Sequence, residues 1–135
     1  MTRILLIEDN PADVDLLRRA FKSASFDCEL TLMEDGAEAM AFFRGEGPHA
    51  GAPSPDLVVL DLNLPKNDGV EVLQALRATP KFSAVPVAIL SSSSSSRERA
   101  RVEQFHIGRF ITKPPDLDEF LAIGSTLKSL LSVPD

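Results

Sequence analysis

The 135-residue chain carries 14 Lys and Arg against 20 Asp and Glu, and its net charge of −6 argues against a phosphate-backbone binder, whose affinity rests on clustered cations. The length fits one domain able to bury a core, and no apolar run approaches the roughly 18 residues of a membrane span, so neither a signal peptide nor a membrane partner is expected. The single cysteine, Cys28, can form no internal disulfide and has no companions for a metal cluster, which points to a reducing cytoplasm and to Cys28 as a small buried hydrophobe.

Ile4 to Ile7 is a short continuous apolar run, the pattern of a strand buried on both faces, and it ends in Glu8-Asp9 before Asn10-Pro11. Asn10 is a good N-cap, Pro11 suits the first helical position, and Val14, Leu17, Phe21 and Ala24 follow at helical spacing. Cys28 to Leu32 alternates apolar and polar, as a half-exposed strand near a sheet edge should. Asp35-Gly36 then opens a short helix carrying Ala39, Met40 and Phe43.

Residues 44–55 hold three Gly and three Pro without periodicity, which predicts a long exposed loop with His49 as a solvated residue of it. Leu57 to Leu60 is the next buried strand, and it delivers Asp61 to its carboxyl end, where open α/β sheets bind their ligands. Pro65 and the cluster Asn67-Asp68-Gly69 break the chain there. Taken by itself, Asp61 serves equally well as a carboxylate that hydrogen-bonds a turn.

Val70, Val72, Leu73 and Leu76 mark a helix closing near Thr79-Pro80, and Val85 to Leu90 is the fourth strand. Six serines follow, Ser91 to Ser96; Ser91 sits at the strand end and the later ones cap a helix running from about Arg97 to His106. Its apolar stripe is thin, mainly Ala100, Val102 and Phe105, so loose packing is expected, with His106 complementing the dipole and Gly108 ending the helix. Arg109 to Thr112 is a fifth strand ending at Lys113-Pro114, and Leu117 to Leu131 follow helical spacing, with Gly124 weakening that helix by about 1 kcal/mol. Five strands alternating with five helices predict a doubly wound parallel sheet covered on both faces.

Four strand ends thus bring Glu8-Asp9, Asp61, Ser91 and Lys113 to one edge. At an effective dielectric of about 20, two carboxylates ~5 Å apart repel by roughly 3 kcal/mol, so three acids call for a compensating cation beyond Lys113. Oxygen-only ligands select a hard ion, and Mg²⁺ with retained waters suits a shallow open site. A nucleotide or flavin site would need a Gly- or hydroxyl-rich turn after the first strand, whereas Glu8-Asp9-Asn10-Pro11 is acidic and repels phosphate.

The motifs Leu-Leu-Ile-Glu8-Asp9-Asn-Pro, Val-Leu-Asp61-Leu-Asn63-Leu-Pro65-Lys-Asn-Asp-Gly69, Ile-Leu-Ser91-Ser and Ile-Thr-Lys113-Pro114 together resemble the receiver domain of two-component response regulators. With the long Pro/Gly insertion, the chain is similar to the single-domain regulators associated with phytochrome-type histidine kinases. The resemblance implies a flavodoxin-like α/β fold, strand order 2-1-3-4-5, five helices, and one receiver domain over residues 1–135 without an output domain. It implies that Asp61 is the phosphoryl acceptor, that Asp9, Asp61 and the Asn63 carbonyl bind Mg²⁺ with Glu8 acting through water, and that Lys113 pairs with the phosphoryl group. Ser91 takes the place of the switch hydroxyl, and Phe110 that of the aromatic switch residue, without the usual polar tip. Lys113-Pro114 would be a cis peptide.

The implied function is phosphoacceptance from a histidine kinase, a bacteriophytochrome among the candidates, in a phosphorelay. The chain would be no enzyme beyond its own Mg²⁺-dependent aspartyl phosphorylation and dephosphorylation. It would be cytoplasmic, would not bind DNA, and would form a homodimer through the fourth helix, fifth strand and fifth helix. Two rivals differ in class. A phosphorylation-independent interaction module of the same fold should have lost Asp61, Asp9 or Lys113, and all are present; a haloacid-dehalogenase-type phosphatase needs a second acid where this chain has Asn63.

Overall fold

Five parallel strands, β1 (Thr2–Ile7), β2 (Cys28–Met33), β3 (Leu57–Asp61), β4 (Val87–Ser91) and β5 (Arg109–Thr112), lie in the order β2-β1-β3-β4-β5. The computed structural model describes residues 2–64, 69–92 and 95–131. Pro65 to Asp68, on which the sequence places the break after the central strand, lie outside the described residues, as do Ser93 and Ser94. The order reverses between β1 and β3, so the crevice outside their carboxyl ends is the topological switch point of the sheet. Val85 and Pro86 precede β4 rather than belonging to it; the Pro86 carbonyl accepts from Val58, but proline has no N–H for a ladder.

The period of two along each strand sorts the core into two layers. Ile4, Leu6, Leu57, Val59, Ala88 and Leu90 face α1 (Pro11–Ser23), α5 (Leu117–Leu121) and α6 (Ile123–Leu130). Leu5, Ile7, Val58, Leu60, Val87 and Ile89 face α2 (Gly36–Arg44), α3 (Gly69–Ala78) and Val102 of α4 (Ser96–Glu103). The terminal helix expected as one piece is interrupted at Ala122, which separates α5 from α6. The Asn10 cap forms as expected, Asn10 Oδ1 accepting from Ala12 N at 2.9 Å, and Asp35 caps the helix it opens, its Oδ1 accepting from Glu38 N at 2.8 Å.

Local expectations fail where a tertiary partner intervenes. Cys28, on the edge strand, is half-buried rather than enclosed. The 44–55 loop contains a 3-10 turn, Gly47–His49, and is fastened: His49 packs edge-on against Phe42 with centroids 5.5 Å apart, and Lys81 Nζ donates to the Ala52 carbonyl at 3.0 Å. Ala100 is exposed, leaving Val102 as the buried residue of α4. His106 lies beyond the helix with φ 58°, so it supplies the left-handed turn assigned to Gly108. Arg77 holds that turn: its Nε donates to the Phe105 carbonyl at 2.8 Å, Nη2 to the His106 carbonyl at 3.2 Å, and Nη1 to the Val85 carbonyl at 2.7 Å.

Gly124 is a packing requirement, not a weakness. A Cβ there would collide with the Ala20 carbonyl and lie 3.2 Å from Phe21 N, both backbone of α1. Helix propensity alone would make Gly124→Ala stabilising by about 1 kcal/mol, but backbone cannot give way as a side-chain tip can. We expect a net loss of about 2 kcal/mol in urea unfolding, and a midpoint that rises instead would show that α1 and α6 do not meet this closely.

Candidate functional site

The same alternation that sorts the core positions the site. Glu8 continues the Ile4, Leu6 side of β1, Asp61 the Leu57, Val59 side of β3, and Lys113 the Ile111 side of β5, so all three emerge on the α1 face. Glu8 and Asp61 are buried, and Asp9 beside them is exposed. Candidate ligand oxygens of Glu8, Asp9 and Asp61 lie within 4.8 Å of one another. Gly69 lets α3 begin close behind Asp61, since a Cβ at Gly69 would stand 2.6 Å from Leu62 Cα.

Lys113 reaches back across this edge. Its Nζ lies 2.7 Å from Asp13 Oδ2, 3.2 Å from Asp61 Oδ2 and 3.4 Å from Glu8 Oε2. Burial works against the ammonium, but the hydrogen bond to Asp13 and the charges of Asp61, Glu8 and Asp13 outweigh it and hold Lys113 above the ordinary lysine range. Asp13 was not singled out in the sequence. Its signal was there, because a helix starting at Pro11 places Asp13 in a first turn directly over the strand ends. The Lys113 N–H donates to the Ser91 carbonyl at 2.7 Å. No described peptide bond is cis, so Lys113-Pro114 is trans, contrary to expectation; trans is the intrinsically favoured isomer of an X–Pro bond.

Asp61 Oδ1 accepts from the Asn63 N–H at 2.8 Å, so the turn-bonding reading of Asp61 also holds, through one oxygen. Asn63 Oδ1 in turn accepts from the N–H and the hydroxyl of Ser92, each at 3.1 Å. Ser91 continues the Val87, Ile89 side of β4, and Phe110 packs in the same layer; both therefore face α4 rather than the acids.

Burial, with the hydrogen bond and charge of Asp61, pushes the Glu8 carboxyl from 4.5 up to about 8, against the pull of Lys113 and the Asn10 N–H. A buried acid that retains its proton to such a pH is one whose negative charge lacks a sufficient partner, and three clustered carboxylates suit a hard divalent ion that would take the proton's place. The sign follows from proton binding. The unfolded chain releases this proton near 4.5 and the folded one near 8, so its stabilising contribution is complete below 4.5 and is lost as pH rises through 8. Metal-free protein should therefore melt progressively lower between about pH 5 and about pH 8.5, and saturating Mg²⁺ should remove most of that decline. Equal melting temperatures at both pH values without metal would contradict it.

Residues 4–123 match the response regulator receiver domain family. The response regulator Rcp1 of Synechocystis sp. is 35% identical over 126 residues, spanning 93% of this chain and 86% of that protein. The crystal structure of the phosphorylated cyanobacterial phytochrome response regulator RcpA superposes with a TM-score of 0.89 at 37% identity, covering 96% of this chain and 93% of that one. The Mn²⁺-bound form of Rcp1 gives 0.89 at 34% identity, covering 99% and 98%. With residues 4–123 matched by the family and these relatives covered over most of their length, the chain belongs to the response regulator receiver domains.

Proposed function

We propose that the chain is a phosphoacceptor response regulator in which Asp61 takes a phosphoryl group from a histidine kinase. The observation that carries this reading is the Asp61 carboxylate at the end of β3, buried beside Lys113 with Glu8 and Asp9 alongside. An oxygen of Asp61 attacks the phosphorus of a phosphohistidine; the P–N bond breaks, its electron pair stays on the imidazole nitrogen, and that nitrogen takes up a proton. Lys113 neutralises charge on the phosphoryl oxygens, and the Asn63 N–H orients the carboxylate. Glu8, Asp9, Asp61 and the Asn63 carbonyl would hold Mg²⁺, which when bound supplies further neutralisation of phosphoryl charge. Ser91 and Phe110 would carry the change to the surface.

The phosphorylated form of RcpA and the Mn²⁺-bound form of Rcp1 support the chemistry, and the description of RcpA as a phytochrome response regulator supports a bacteriophytochrome as the kinase. The protein would act in the cytoplasm without direct DNA binding by this domain, consistent with its net charge of −6. Its only catalysis would be that of its own phosphorylation and dephosphorylation. A homodimer through α4, β5 and the last helix, here divided into α5 and α6, completes the reading; Leu117, at the start of α5, is a half-exposed leucine.

The test is incubation with Mg²⁺ and acetyl phosphate. One added phosphoryl mass, acid-stable and lost in base or hydroxylamine, is expected. Absence of any gain would favour the phosphorylation-independent interaction module.

A further inference from the structure

Ser91 Oγ donates to Glu98 Oε1 at 2.5 Å. Ser91 is fully buried and Glu98, in the first turn of α4, is half-buried. The next residue, Arg99, lays its guanidinium over the Phe110 ring at 5.6 Å while pairing with Glu103 at 2.9 Å. Two consecutive residues of α4 thus hold the two groups expected to move, on a helix whose own buried residue is Val102.

We infer that Glu98 is a positioning residue that latches the Ser91 hydroxyl to α4 before phosphorylation, so that a phosphoryl group on Asp61 must win this hydroxyl from Glu98. The inference rests on the proposed phosphoacceptor role of Asp61. A serine hydroxyl has one proton to donate and cannot serve Glu98 and a phosphoryl oxygen together. Both acceptors are anionic, so the exchange is nearly balanced, and the strength of the Glu98 bond sets the fraction of molecules already in the released arrangement. Release leaves Glu98 without this donor, loosens the first turn of α4, and through Arg99 frees Phe110.

The experiment measures beryllofluoride affinity in Mg²⁺ for wild type, Glu98→Ala, Glu98→Gln, Ser91→Ala and the Ser91→Ala/Glu98→Ala double variant. A lost hydrogen bond to a charged acceptor corresponds to about tenfold or more in the latch equilibrium, and apparent affinity rises with the competent fraction. Glu98→Ala should therefore bind about tenfold tighter, Glu98→Gln should gain less because a neutral acceptor remains, and Glu98→Ala should add nothing in the Ser91→Ala background. Amide exchange over residues 96–103 of metal-free Glu98→Ala should shift towards the pattern wild type shows with the mimic. Unchanged or weaker binding by Glu98→Ala, or a gain that persists without Ser91, overturns the latch. Failure of wild type to bind beryllofluoride or gain a phosphoryl mass overturns the phosphoacceptor reading itself, which keeps the two failures apart.

Discussion

Asp61→Asn should abolish phosphoryl incorporation and leave the fold standing. A carboxamide is not a nucleophile, Glu8 is fully buried, and Asp13 is committed to Lys113 at 2.7 Å. The Asn63 N–H keeps an acceptor in the amide oxygen, so the 2.8 Å contact that shapes the turn survives. Removing one of two adjoining acids also lowers the proton affinity of Glu8, so melting of the metal-free variant near neutral pH should be no lower than wild type. Intact-mass spectrometry with Mg²⁺ and acetyl phosphate checks the first expectation and calorimetry the second. Full labelling of the variant would move the acceptor to another residue.

Lys113→Met should separate metal binding from signalling. Lys113 faces three carboxylates, on Asp13, Asp61 and Glu8, and is itself only 15% exposed in its side chain. Without it the metal-free site is a group of acids with no paired cation among the described residues, and truncating one partner of a largely buried network costs about 3 kcal/mol. Bound Mg²⁺ returns part of that, so Mg²⁺ affinity should match or exceed wild type. The phosphorylated state fares differently. Its phosphoryl oxygens lose the lysine, and one serine hydrogen bond, about 1 to 3 kcal/mol to a charged acceptor, falls short of the roughly 5 kcal/mol needed to turn a two-state element from mostly off to mostly on. Amide exchange over residues 91 to 113 should show little of the protection change that wild type shows with Mg²⁺ and beryllofluoride. A full wild-type change in the variant would remove Lys113 from the coupling.

Much of the site was legible because strand ends are legible. Three apolar runs and the short strand Arg109 to Thr112, each followed by a charged or hydroxyl residue, located Glu8, Asp61, Ser91 and Lys113, and the motif spacing supplied the family. Asp13 and Glu98 were harder. Each lies one helical turn from a cap, where an acid usually needs no partner beyond the helix dipole, and its partner is 100 residues away in one case and seven in the other. Arg77 reads as an exposed helix residue until the carbonyls of Phe105, His106 and Val85 are brought to it.

The sequence by itself determined the order of elements, the burial of β1 and β3, the helix cap at Asn10 and the acids at the strand ends, because these follow from periodicity and from backbone groups satisfied within a few residues. Only the tertiary structure decided that Gly124 is a contact with α1 instead of a flaw in a helix, that His106 makes the left-handed turn, and that the Ser91 hydroxyl is held by Glu98. The reason is physical: close approach of two backbones, and competition among several acceptors for one proton, depend on distances between segments remote in the chain, and no local pattern encodes a distance.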